Sequence, residues 1–128
     1  MIEIFPSVFG NDPKTVEVNL VTIDELCQNY GNFDVWKLDI EGAETDAVRG
    51  AEKTLMKYPP RVIIAELYDR FYAEFYSAIE STHPYAYRAF ITRDRYELEL
   101  CQPVLEFRND VYQTSPMYVF LQRPLGLI

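Results

Sequence analysis

The stretch Asp34-Val35-Trp36-Lys37-Leu38-Asp39-Ile40-Glu41-Gly42-Ala43-Glu44 decides how the chain is read. Residues 34–40 are a short, largely apolar run bounded by turn signals, the pattern of a strand buried in a parallel sheet. Gly42 ends that strand. Across residues 43–58, Ala47, Val48, Ala51 and Leu55 recur at helical spacing. Glu44 and Asp46 stand in the first turn of this helix and Lys53 and Lys57 near its end, where the helix dipole favours each sign. Pro59 and Pro60 stop it. Arg61-Val62-Ile63-Ile64-Ala65-Glu66-Leu67 repeats the buried-strand pattern, and Asp69 is a candidate N-cap for a helix reaching about Glu80. Strand, helix, strand, helix is the order of a right-handed crossover unit, so the fold class is α/β, with a sheet expected to be covered on both faces.

Upstream, residues 2–11 read as weakly strand-like, and Asn11-Asp12-Pro13 marks a turn. Val16, Val18, Leu20 and Ile23 then alternate as a strand does, before Asp24-Glu25-Leu26 opens a short helical turn that Asp24 is expected to cap. Gly50, inside the long helix, implies close packing of that helix on the sheet. Downstream of Pro84 the pattern changes. Residues 87–92, 96–101 and 117–122 read as strands with no helical stripe between them, which predicts antiparallel strands closing the sheet.

The 128 residues suffice for one domain with a core, and a composition 48% hydrophobic and 25% charged is that of a globular protein. A net charge of −8 sets the field of the molecule against phosphate backbones, so nucleic acid is not an expected partner. No apolar run has the roughly 18 to 20 residues a bilayer crossing needs. Residues 1–10 show no leader pattern, so a membrane is not an expected partner and the expected location is cytoplasmic. Cys27 and Cys101 stand far apart without a CxxC, which makes them reduced thiols rather than a zinc or redox site, and no metal site is expected. His83, before Pro84, reads as a capping or surface residue. Phe71, Tyr72, Phe75 and Tyr76 read as core or interface packing.

Residues 36–44 together with Val48-Arg49-Gly50-Ala51 resemble the signature of FkbM-type methyltransferases: lysine, hydrophobe, aspartate, hydrophobe, glutamate, glycine, alanine, glutamate. Val21-Thr22-Ile23-Asp24-Glu25-Leu26 is similar to the family's preceding element, and Pro60-Arg61-Val62-Ile63-Ile64-Ala65-Glu66-Leu67 to its following one. The resemblance implies a partial Rossmann-like class I methyltransferase sheet, its parallel strands and helices followed by antiparallel closing strands. It also implies S-adenosylmethionine as cofactor and a small-molecule or sugar hydroxyl as acceptor. Residues 1–128 are expected to form a single domain corresponding to the C-terminal part of the family's domain, without its glycine-rich cofactor-binding half. The glycines Gly10, Gly31, Gly42, Gly50 and Gly126 stand singly, and no G-x-G-x-x-G occurs.

In an open α/β sheet, ligands bind beyond the carboxyl ends of the strands, where Asp39, Glu41 and Glu66 fall. Asp39 and Glu41 share a strand face by the period of two, and Glu66 ends the neighbouring strand. The carboxylates can deprotonate an acceptor hydroxyl, one of them with its pKa raised by its neighbours, or they can hold a hard divalent cation. Asp39 and Glu41 are the catalytic candidates. On the other account, Glu41 and Glu44 favour the positive end of the following helix and Lys37 neutralises Asp39 or Glu66. A non-catalytic module descended from the same fold is the second functional reading, with the first strand as an adhesive edge for a homo-oligomer or a complementing chain.

Overall fold

The computed structural model describes residues 17–91, 94, 96–101 and 117–126. Within them the order is α1 (Ile23–Tyr30), β1 (Val35–Leu38), α2 (Glu44–Arg49), α3 (Glu52–Lys57), β2 (Val62–Glu66), α4 (Asp69–Ile79), β3 (Tyr85–Ile91), β4 (Tyr96–Cys101) and β5 (Met117–Leu121). The architecture is mixed α/β, with one sheet in the order β1-β2-β5-β3-β4. β1 and β2 pair in parallel, Lys37 opposite Ile64 and Leu38 opposite Ala65. β5 lies antiparallel between β2 and β3, and β4 pairs antiparallel with β3, as expected of the closing strands.

The period of two sorts each strand into two faces. Trp36, Ile63, Ala65, Tyr118, Phe120 and Ala86 point to one side, where Val48, Ala51, Leu55, Tyr72, Phe75 and Ile79 of the helical layer complete the core. Tyr72, Phe75 and Ile79 recur at helical spacing on α4, so one stripe of that helix seats on Tyr118 and Phe120 of β5. The other face carries Val62 and Ile64, which are half-buried, and Val35, Leu98 and Leu100, which are exposed. Cover on both faces was the expectation; among the described residues the helices cover one.

Several local expectations are corrected. Residues 2–11 and Asn11-Asp12-Pro13 lie outside the described residues, and residues 17–22 form no strand: Val18, Leu20 and Val21 are exposed, and Ile23 already belongs to α1. The helix wins because Thr22 and Glu25 close a capping box, the Thr22 side chain accepting from Glu25 N and the Glu25 carboxylate accepting from Thr22 N at 2.7 Å. Asp24 is therefore free for a different helix, and it breaks the expected 43–58 helix in two. Asp24 N donates to Gly50 O at 3.0 Å, and its carboxylate accepts from Lys53 N, Thr54 N and the Thr54 hydroxyl, making a new helix start at α3. These bonds hold the Asp24 carboxyl below its ordinary pKa, against an opposing contribution from burial that is the largest single one.

Gly50 is closely packed as expected, but against Thr22, whose Cβ would lie 3.3 Å from an added methyl group. Asp69 is the first residue of α4, and Tyr68 holds the cap position. His83 is neither capping nor at the surface. It is fully buried, with Nε2 2.7 Å from Pro60 O and Nδ1 2.8 Å from the Thr82 hydroxyl, and burial pushes its pKa down. The turn after α4 folds inward because these two partners, with Gln122 also donating to Pro60 O, satisfy a polar ring that would otherwise be costly to bury.

Candidate functional site

The carboxyl ends of β1 and β2 lie side by side because the strands are parallel and in register. Continuing that register one residue past Leu38 sets Asp39 opposite Glu66. The same periodicity puts Lys37, Asp39 and Glu66 on one face, the face turned away from the helical core. Lys37 is exposed on the face the described helices leave open, which is how a lysine in an otherwise apolar strand is accommodated, and its Nζ donates to Asp39 Oδ2 at 2.8 Å. Pairing was the expected account of Lys37, and its partner is Asp39.

The two neighbouring carboxyls are driven apart in acidity. Asp39 is held below its ordinary pKa, first by the hydrogen bond from Lys37 and then by that ammonium's charge. Glu66 is pushed above its ordinary pKa, first by desolvation, then by the charge of Asp39, by a hydrogen bond shared with Asp39 and by the charge of Glu41; Lys37 opposes the rise. Asp39 thus ionises more readily than an isolated aspartate, and Glu66 retains its proton to higher pH than an isolated glutamate.

Glu41 stands in the turn between β1 and α2. Its φ is +55° and that of Gly42 is +104°, and Ala43 N donates to Ile40 O at 3.4 Å, so residues 40–43 form a mirror-image type I′ turn. Gly suits such a turn, whereas a side chain in the left-handed region costs roughly 1–2 kcal/mol. Glu44 is buried, and its carboxylate reaches back to accept from Ile40 N at 2.9 Å and Gly42 N at 3.0 Å.

Asp39 and Glu66 are thus brought together and the Glu41 charge contributes to the rise of the Glu66 pKa, whereas Glu44 is turned into the turn backbone. Asp39 and Glu41 were the expected pair, and the register adds Glu66 beside Asp39: in parallel strands, the residue closing the second strand comes level with the one just past the first. Among the described residues, no group of three or more His, Cys, Asp or Glu side chains is arranged to hold a metal ion. Two open depressions of about 600 and 720 Å³ lie on the helical side, the first against Arg49 and Glu74, the second against Asp24 and Lys53; neither is lined by Asp39, Glu41 or Glu66.

The glycines offer no cradle among the described residues. An added Cβ at Gly31 or Gly126 would meet nothing within 4 Å, at Gly42 it would touch the Phe71 ring, and at Gly50 it would touch Thr22. No described helix is long and apolar enough to cross a membrane. No curated protein and no solved structure matches the chain significantly. A family model does, that of the methyltransferase FkbM domain, over residues 3–113. The chain carrying this pair of carboxyls at adjoining parallel strand ends therefore belongs to the FkbM methyltransferase family.

Proposed function

We propose that the chain serves an S-adenosylmethionine-dependent O-methyltransferase, and that its carboxylate cluster works on the acceptor, a hydroxyl of a small molecule or sugar. The observation that carries this is that Asp39 and Glu66 come level at the carboxyl ends of adjoining parallel strands, and the opposite directions in which their pKa values move support it. Ionised Glu66 takes the acceptor's proton, Asp39 accepts a hydrogen bond that orients the hydroxyl, and Glu41 contributes its field. S-adenosylmethionine supplies the methyl group. The described residues do not fit it, since no glycine cradle stands among them, and no step is assigned to them on the donor. We place the chain as the C-terminal part of a partial Rossmann-like class I methyltransferase sheet that acts inside the cell.

Thermal-shift titration with S-adenosylhomocysteine separates a complete donor site from a shared one. A ligand at 100 times its dissociation constant stabilises a fold by about 2.7 kcal/mol. The partial-sheet reading expects no shift from this chain by itself. A saturable shift would show that the chain carries its own donor site and would overturn the placement as a C-terminal part.

A second reading is favoured by one observation. Among the described residues β1 is the edge of the sheet, and Val35, on the uncovered face, is 54% exposed. An unpaired strand edge invites another strand. In this reading the chain is an assembly module, joined along β1 by a second copy or a complementing chain. Sedimentation of the chain across a concentration series tests it: concentration-dependent association that Val35→Pro abolishes is expected, because a proline there puts its ring at the free edge. A monomer at every concentration would sink self-association.

A further inference from the structure

Glu44 was read from the sequence as a residue that merely favours the positive end of α2. Its geometry says otherwise. The cap position of α2, Ala43, has no side-chain cap, and the Glu44 carboxylate points backward out of its own helix to two amides of the preceding turn. Both of those amides flank Glu41, the one described non-glycine residue with positive φ. A backbone held in a sparsely populated region persists only where its surroundings over-determine it, and such positions gather at working sites. Here the surroundings are a buried carboxylate: Glu44 is 2% exposed, and its two oxygens take Ile40 N and Gly42 N at once. The residue kept in the unfavourable conformation carries a carboxylate and stands two positions past Asp39, which comes level with Glu66 at the ends of the parallel strands; its charge is among those that raise the Glu66 pKa. Asparagine or glycine would suit the turn better and would bring no charge.

We propose that Glu44 is a positioning residue whose buried carboxylate locks the turn of residues 40–43 and thereby holds the Glu41 charge within reach of Glu66. This rests on the carboxylate cluster being the working site, but its readout is a titration and not methyl transfer. A clamp verified in a protein that transfers no methyl group would leave the clamp standing and sink the proposed function.

The experiment is carboxyl and amide NMR of the full chain across a pH series. In the unaltered protein, the amide protons of Ile40 and Gly42 are expected to move together with the ionisation of the Glu44 carboxyl, as amides donating to a carboxylate do. Amides insensitive to Glu44 would overturn the clamp. Glu41→Gln and Glu44→Gln are each expected to lower the Glu66 midpoint toward the ordinary carboxylate value. The double variant is expected to lower it no further than Glu41→Gln does, because Glu44 works through Glu41. A folded Glu44→Gln protein with an unmoved Glu66 midpoint, or additive shifts in the double variant, would overturn the proposal. Gly42→Ala distorts the same turn without touching Glu44, its new methyl group meeting only an ordinary contact with Phe71 at 3.7 Å. It too is expected to lower the Glu66 midpoint, and it decides the matter should Glu44→Gln fail to fold.

Discussion

In an enzyme completed by a donor-binding half, Glu66→Gln is expected to reduce kcat for methyl transfer by about 10²–10⁴-fold, the span over which a positioned general base contributes. The variant keeps the shape of the side chain at the end of β2 and removes its ability to take a proton. In the unaltered protein, activity is expected to rise with pH through the Glu66 midpoint, because only the ionised carboxyl accepts the acceptor's proton. That midpoint lies above the ordinary glutamate value through desolvation and the charges of Asp39 and Glu41. Asp39→Asn is expected to displace the acid limb to lower pH, since it removes a neighbouring negative charge and leaves the Lys37 ammonium to act on Glu66 alone.

Stability separates this outcome from unfolding. A carboxyl whose folded pKa is raised loses stability as pH rises through the unfolded and then the folded value, so Glu66→Gln is expected to be at least as stable as the parent at neutral pH. An active Glu66→Gln protein, or an acid limb that survives it, would remove Glu66 from the mechanism.

Phe75→Ala is expected to cost about 3–5 kcal/mol, a large part of the roughly 5–15 kcal/mol that holds a domain together. Phe75 is fully buried on α4, and its ring centroid lies 5.1 Å from that of Phe120 on β5, tilted by 41°. The substitution opens a cavity between helix and sheet and also removes an aromatic pair worth about 0.5–1.5 kcal/mol. Urea denaturation is expected to show a lower midpoint at an unchanged slope. A loss below about 1 kcal/mol would mean that the α4 layer collapses onto β5 without this ring, contrary to close packing. The neighbouring Tyr76, whose hydroxyl donates to Pro84 O at 2.9 Å, is half-buried at the rim and is expected to matter less.

Much of this fold is legible in short segments. β1, β2 and α4 follow from apolar runs and a helical stripe, and the antiparallel tail follows from strand patterns without helices between them. Each signal depends on burial at a spacing of two or near 3.6, which survives whatever the neighbours are. Where the reading failed, a distant partner decided. The alternation of Val16, Val18 and Leu20 suits a strand, yet among the described residues no strand pairs with residues 17–22. The apolar stripe from Ala47 to Leu55 suits one helix, yet Asp24 enters from outside to take the Gly50 carbonyl and the amides of Lys53 and Thr54. His83 looks like a turn residue until Pro60 and Thr82 are seen to satisfy both ring nitrogens.

The candidate site divides in the same way. That Asp39 and Glu66 stand at the ends of neighbouring strands was determined by the sequence alone, because strand period is local; Glu41, expected to share a strand face with Asp39, stands instead in the turn after β1. Which carboxyl is acidic and which holds its proton was decided only by the tertiary structure. Acidity depends on distances between charges that the chain brings together from positions some thirty residues apart, and on which of them Lys37 reaches first. Only the folded turn, likewise, shows Glu44 reaching back to the backbone around Glu41.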